Sequence, residues 1–242
     1  MPKPTVTADL FDVMYSCRAM RRLKPDPVPE DLLVQLVDAA IQSPSGSNAQ
    51  TWHFVIVRDR TKVREVQLAW EQGHRFYRET FGAAPARPGE DMAARARMMR
   101  AVDWMVEHLH ETPAVIFAGV REDAALTAVL KSSDTWRAVL RHFGVGAVLR
   151  LARTAPSAGA LGTAASIYPA VQNLLLAARA LGLGAVLTTP HLLMPGVFEG
   201  LLRLPPDVTL AAVIPVGWPK GRFGPVSRPA ARDVISWDTS AG

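Results

Sequence analysis

The chain has 242 residues, with 27 lysines and arginines against 22 acidic residues, a formal charge of +5. Its composition, 49% hydrophobic and 20% charged, excludes a disordered chain, and size scaling allows a chain of 26.2 kDa to bury about 70% of its unfolded surface without disulfide or metal staples. The single cysteine, Cys17, excludes an internal disulfide framework and a cysteine-rich metal centre.

The opening MPKPTVTADLFD has no apolar h-region, so no secretory signal is expected and a cytoplasmic location is the default. Asp9 caps a first helix whose apolar face is Leu10, Val13, Met14 and Cys17, with Arg18, Arg21 and Arg22 expected at its C-terminal end. Lys24–Pro29 is a rigid connector, and Pro29 opens a second helix with Leu32, Leu33, Leu36, Val37, Ala40 and Ile41 on one face. A turn-rich stretch, Ser43–Asn48, leads into a nearly all-apolar strand over Trp52–Val57, expected to be buried. Helices are predicted over Thr61–Thr80 and Met92–His110, separated by a mobile Ala83–Glu90, and a buried strand over Ala114–Val120. Helix around Ser133–Leu140 and a small-residue loop over Ala155–Ala165 follow. A long helix spans Ile167–Leu181 and is stopped by Gly182 and Gly184. A short strand over Ala185–Thr189 ends at Pro190, a helical turn lies near Pro195–Leu202, and Val208–Val216 is the last buried strand. Asp233–Trp237 is a candidate short edge strand. No internal repeat or Gly/Ser linker divides the chain, so residues 1–242 read as a single domain of mixed helix and strand.

Several function classes are disfavoured. The longest apolar region, Leu174–Leu187, is too short and too broken to cross a membrane. The arginines form no basic stripe with interleaved aromatics, so nucleic acid is not an expected partner. No histidine pair has metal-ligand spacing, no G-x-S-x-G elbow or P-loop occurs, and the two G-x-G pairs lack the third glycine of a dinucleotide fold. His53 reads as a core residue, and His191, just after Thr189-Pro190, is expected near a site. Three features are candidates. Arg18 and Arg21 at i, i+3 could grip one phosphate. The turn Ser45-Gly46-Ser47-Asn48 could bring backbone and polar side chains close to a heteroaromatic ring. The strand end Leu187-Thr188-Thr189 offers two hydroxyls at a ligand-facing edge. Alone, each also reads as an ordinary helix end, loop or strand end.

Together and in order they carry a resemblance. Arg18-Ala19-Met20-Arg21-Arg22-Leu23 resembles the R-S-x-R-x-F segment of the FMN-dependent nitroreductase family. Ser43 to Trp52 is similar to its A-P-S-x-x-N-x-Q-P-W turn, and Gln172-Asn173-Leu174 through Gly182-Leu183-Gly184 to its Q-N-L…G-L-G helix. Ile214–Pro219 with Arg228-Pro229 resembles its closing segment. The likeness spans roughly residues 8–237, apart from a variable middle at about 65–165. Ala19 stands where the family often has Ser, Cys17 where it often has a second Arg, and Leu23 where it has Phe.

The resemblance implies an α+β fold, an α-β-α sandwich around a mixed central sheet in an intertwined homodimer. FMN would lie at the dimer interface. Arg18, Ala19, Met20, Arg21 and Arg228 would hold its phosphate and ribityl side, Ser45, Gly46, Ser47 and Asn48 its ring, and Leu187, Thr188 and Thr189 would contact it from the other subunit or face. In the variable middle, Trp70, Phe76, Tyr77, Phe81 and Trp104 are candidates for a lid that selects acceptors, and they read equally as ordinary core aromatics. The implied reaction passes a hydride from NADH or NADPH through the flavin to a nitroaromatic, quinone or related small-molecule acceptor, with the flavin rather than a dedicated side chain carrying the chemistry. A specialised branch (reductive dehalogenation, ring dehydrogenation or flavin cleavage) and a non-catalytic flavin-binding protein are the alternatives.

Overall fold

The computed structural model describes residues 8–239, and the opening segment read for a leader largely lies outside them. Helix α1 (Leu10–Ser16) starts at Asp9, whose carboxylate accepts from the Phe11 and Asp12 N–H groups. It ends before the arginines. Residues 17–22 are extended instead of helical, because tertiary bonds recruit their backbone: Met20 N–H donates to Ala185 C=O at 3.1 Å and Lys220 N–H to Arg22 C=O at 2.9 Å. The expected helical i, i+3 pairing of Arg18 and Arg21 is therefore absent. Helix α2 (Glu30–Ala40) has Pro29 as its cap and buries Leu33, Leu36 and Ala40.

Strands β1 (Trp52–Val57), β2 (Ala114–Arg121), β3 (Gly184–Ala185) and β4 (Val208–Gly217) form one sheet in the order β1-β2-β4-β3. The sheet expected to be mixed is antiparallel at every described pairing, with Ile116 opposite both Ile56 and Ile214. Central β2 is buried along almost its whole length, as predicted. Edge strand β1 is only half-buried, because it has a single described neighbour.

Side chains alternate across the strands, so each face of the sheet carries its own core. Ala114, Ile116 and Ala118 pack with α2 and with Ile167, Val171 and Leu174 of α7 (Val145–Ala180). On the other face Val115 and Phe117 meet Val63, Val66 and Trp70 of α3 (Arg60–Glu79), Met105 and Val106 of α4 (Met92–Glu107), and Phe198 of α8 (Val197–Leu202). The result is the helix–sheet–helix sandwich expected.

Between β2 and α7 lie α5 (Ala124–Lys131) and α6 (Ser133–Phe143). The loop expected at Ala155–Ala165 is instead part of α7, which starts far upstream of Ile167. Five of its eleven residues are alanine, the strongest helix former, and smallness alone does not make a loop. Ala83–Glu90 is tied down by Arg95, which donates to Ala84 C=O at 2.8 Å and lies 3.3 Å from the Glu90 carboxylate. The edge strand expected at Asp233–Trp237 is absent: Ala231–Val234 is a single 3₁₀ turn outside the sheet.

Candidate functional site

Three elements converge on one cavity of about 390 Å³. The extended segment after α1 delivers Arg21, α3 presents Trp70, His74 and Tyr77, and the chain leaving β3 brings Thr188 and Thr189. Positions 70, 74 and 77 recur at i, i+4, i+7 and so share one helix face. Gly73 lies on that face because a Cβ there would stand 2.6 Å from Met194 Sδ. Met98, Val102 and Met105 of α4 complete an apolar, aromatic-rich wall.

Arg21 dominates the electrostatics. Its Nε is buried and has no hydrogen-bond partner among the described residues. Burial pushes the guanidinium below its ordinary value; Tyr77 opposes that shift and neighbouring Arg18 adds to it. A buried charged donor without an acceptor costs about 1–3 kcal/mol or more, and an anion brought to this wall would relieve both the desolvation and the repulsion from Arg18. Arg18 itself is exposed, and Gly224 of the tail passes its Nη1. The tail is anchored there, since Val226 N–H donates to Tyr15 C=O at 3.2 Å.

The other sequence-predicted residues separate into groups. Ala19 is exposed, while Met20 is core, 8% exposed, and points away from solvent. The strand expected over Ala185–Thr189 shrinks to β3 (Gly184–Ala185) plus an isolated Thr188–Val213 bridge; Leu187 packs on the core of α2 and α7, the Thr188 hydroxyl donates to Val213 C=O, and Thr189 beyond it has no such bond. Arg228 is exposed and donates to Ser227 C=O at 2.7 Å, outside the cavity.

Ser45, Gly46, Ser47 and Asn48 are also outside the cavity. Their loop is nevertheless tightly built: Ser166 Oγ accepts from Gly46 N–H at 3.1 Å, and Ser45 Oγ from Gln50 N–H at 3.1 Å. Ser47, Asn48 and Gln50 all hold left-handed φ near +50° (52°, 53° and 51°), a costly conformation for residues with a Cβ. The loop is thus held in shape with its residues largely exposed.

Of the predicted lid residues, Trp70, Tyr77 and Phe81 line the cavity. Phe76 points away from it, 51% exposed, and Trp104 is also elsewhere. Trp104 stacks on His108 with ring centroids 4.2 Å apart, with Lys220 Nζ 4.6 Å and Arg22 Cζ 5.9 Å from its ring.

Sequence reasoning missed His74. Its Nε2 is 2.9 Å from Asp103 Oδ1, and Arg78 Nε is 3.7 Å from the same oxygen. The signal was the spacing of Trp70, His74 and Tyr77 on one face of a helix. His191 is 4% exposed and belongs to a separate cavity of about 460 Å³, although neighbouring Leu192 lines both. Neither ring nitrogen makes a well-formed hydrogen bond among the described residues; burial pushes its pKa down, against opposing pulls from Glu199 and the nearby Leu210 backbone. Among the described residues no cluster could hold a metal ion, and no helix is long and apolar enough to cross a membrane.

The sequence is similar to that of an NADH dehydrogenase from Thermus thermophilus, 29% identical over 91% of this chain and 91% of the relative. It is also similar to an iodotyrosine deiodinase from Thermotoga neapolitana, 23% identical over 87% and 88% of the two chains. The fold matches that of an iodotyrosine deiodinase bound to FMN and 3-iodo-L-tyrosine with a TM-score of 0.63, at 22% identity and over 96% of this chain and 100% of the other. The fold of NfrA2 from B. megaterium matches with the same TM-score of 0.63, at 15% identity over 97% and 76%. The family profile described as Nitroreductase family matches residues 15–218, and with most of its length so matched the chain belongs to the Nitroreductase family.

Proposed function

We propose that the protein is an FMN-dependent oxidoreductase that takes electrons from NADH or NADPH and reduces nitroaromatic, quinone or related aromatic acceptors. The observation that carries this reading is the buried, unpartnered Arg21 Nε on the wall of an aromatic-lined cavity. That wall calls for a ligand that is both anionic and flat, and FMN has a phosphate and a planar ring. Arg21 and Arg18 would take the phosphate, with Arg228 brought in by the anchored tail, and Thr189 would face the ring. Bound FMN supplies hydride transfer between nicotinamide and acceptor. The chain's own residues bind it, orient it and keep water from the apolar wall.

A second copy completes the site in this reading. The chain exposes 15192 Å², whereas a compact monomer of its mass would expose roughly 10,600 Å². The excess, about 4,600 Å² on each chain, is more than an obligate dimer interface needs from one partner. The Ser45–Asn48 loop, built but turned away from its own cavity, is the contribution a partner would make. We read the chain as one unit in which about 65–165 supplies the variable wall, through Trp70 and Tyr77.

The test is the visible spectrum of the purified protein, followed by anaerobic reduction with each nicotinamide and reoxidation by a quinone or nitroaromatic. A yellow protein that either nicotinamide bleaches and an acceptor restores is expected; a colourless protein that ignores added FMN overturns the reading. The deiodinase relatives raise reductive dehalogenation as a second activity. No acidic residue lines the described cavity to meet an amino-acid ammonium, which supports acceptors without that charge.

A further inference from the structure

We propose that His74, positioned by Asp103, hands a proton to the acceptor in the cavity it shares with Arg21 and Thr189. The inference rests on the oxidoreductase reading and adds the residue that completes its chemistry. A quinone that gains a hydride becomes a hydroquinone only when one proton also reaches oxygen. A nitro group that gains a hydride and a proton becomes a nitroso group and water. The electrons come from the nicotinamide; the proton needs a separate donor. An oxyanion left in an apolar cavity would be costly, so the donor has to stand at the wall itself.

The cavity offers few candidates. The guanidinium of Arg21 does not release its proton, threonine hydroxyls hold theirs, and the Tyr77 hydroxyl is a weaker acid than an imidazolium. The Thr188 hydroxyl is already committed to Val213 C=O. Histidine is the side chain that gives and takes protons near neutral pH, and His74 is the histidine on this wall.

Its surroundings suit the task. The side chain of His74 is 14% exposed and that of Asp103 29% exposed. Asp103 Oδ1 accepts from His74 Nε2 at 2.9 Å, which fixes the ring and supplies a counter-charge to the imidazolium. Nδ1 has no hydrogen bond to any described residue and is the atom left to serve the cavity. Arg78 Nε, 3.7 Å from the same carboxylate oxygen, steadies Asp103 on the solvent side, and Tyr77 stacks beside the imidazole with ring centroids 6.4 Å apart. In the step itself the Nδ1–H bond breaks and an O–H bond forms on the acceptor. The imidazole stays bonded to Asp103 through Nε2–H and is reloaded from water. Asp103 is a positioning residue, since it does not line the cavity.

The test compares acceptors that need a proton with one that does not. Benzoquinone requires a proton, whereas ferricyanide takes an electron alone. In the FMN-loaded enzyme, His74→Gln should lower the ratio of quinone to ferricyanide turnover by about 10²-fold or more, the usual contribution of general acid catalysis. Asp103→Asn should lower the same ratio by a smaller factor. A ratio unchanged in both variants overturns the proposal; so does an equal fall with both acceptors, which marks a merely structural tie between α3 and α4. A second readout needs no turnover. 4-Nitrophenolate bound to the protein should show a visible-band shift that His74→Gln abolishes, and a shift identical in wild type and variant would also overturn the assignment. A wild type that reduces neither acceptor defeats the oxidoreductase reading, while the dye still reports on His74.

Discussion

Gly184 lies so close to Met20 that a Cβ on the glycine would stand 3.0 Å from Met20 Cβ and 2.8 Å from Leu23 Cδ2. The neighbouring Ala185 C=O accepts from Met20 N–H. The chain that squeezes past Gly184 is the one that delivers Arg18 and Arg21. Gly184→Ala should therefore destabilise the fold by about 1–3 kcal/mol and also loosen FMN. Gly182→Ala is the control: with φ at 77° it strains the backbone, but a Cβ there meets nothing within 4 Å. Urea denaturation and retained flavin absorbance would read the two effects. Equal flavin retention in the two variants would break the link between this contact and the arginines.

Arg21→Met removes a buried Nε donor that has no partner among the described residues. The apo protein should lose no thermal stability, because what disappears is an uncompensated charge. FMN affinity should fall about 10–100-fold, from the ~1.5–3 kcal/mol typical of a hydrogen bond to a charged group. Arg18→Ala should act in the same direction and more weakly, since Arg18 is exposed. Flavin titration monitored by fluorescence would measure both. Unaltered affinity in Arg21→Met would remove the phosphate role.

These predictions draw on residues whose legibility differed. The sheet and the helices that cover it followed from apolar periodicity, because β2, β4 and α2 are each decided by which face is buried. Arg21, Trp70, Tyr77 and the Thr188-Thr189 strand end were all visible in the sequence. The extended course of residues 17–22 was not, because bonds to Ala185 and Lys220, far along the chain, override the local helical pattern. Helix α7 was truncated in the reading because glycine and alanine together resemble a loop by composition. His74 was missed although it shares a helix face with Trp70 and Tyr77, because nothing in the sequence pairs it with Asp103, 2.9 Å away.

His191 should make the protein acid-sensitive. Its folded pKa lies below the ordinary value, so on acidification the unfolded chain binds the proton first. The stability tied to the neutral ring is full above about pH 6.5, the ordinary value, and is lost as pH falls below it towards the folded value. Glu199 offsets part of this loss, as the charge facing the ring. His191→Gln removes the titration, so melting temperatures measured between pH 7 and pH 5 should drop less steeply than in the wild type. The difference scales at roughly 2–4 °C per kcal/mol for a chain of this size. Parallel slopes would show that the buried imidazole does not titrate with unfolding.

The last prediction concerns the apolar face that no described element covers. On α6, Leu140 is 48% and Phe143 72% exposed; at the start of α7, Val145 is 65% and Leu149 57% exposed; on α5, Val129 and Leu130 are 57% and 56% exposed. Large apolar side chains left exposed on three successive helices suit an interface, and in a chain that exposes far more area than its mass requires a second copy is the fitting occupant. The double variant Phe143→Asp, Leu149→Asp places two charges where apolar contact is expected. It should convert a dimer, with a light-scattering mass near twice 26.2 kDa, into a monomer. If the Ser45–Asn48 loop of one copy covers the flavin held by Arg21 of the other, bound FMN should be lost in step with dimerisation as protein is diluted. A variant that becomes monomeric yet keeps its flavin would place that loop outside the cofactor site, and a wild type that is monomeric with flavin bound would remove the shared site altogether.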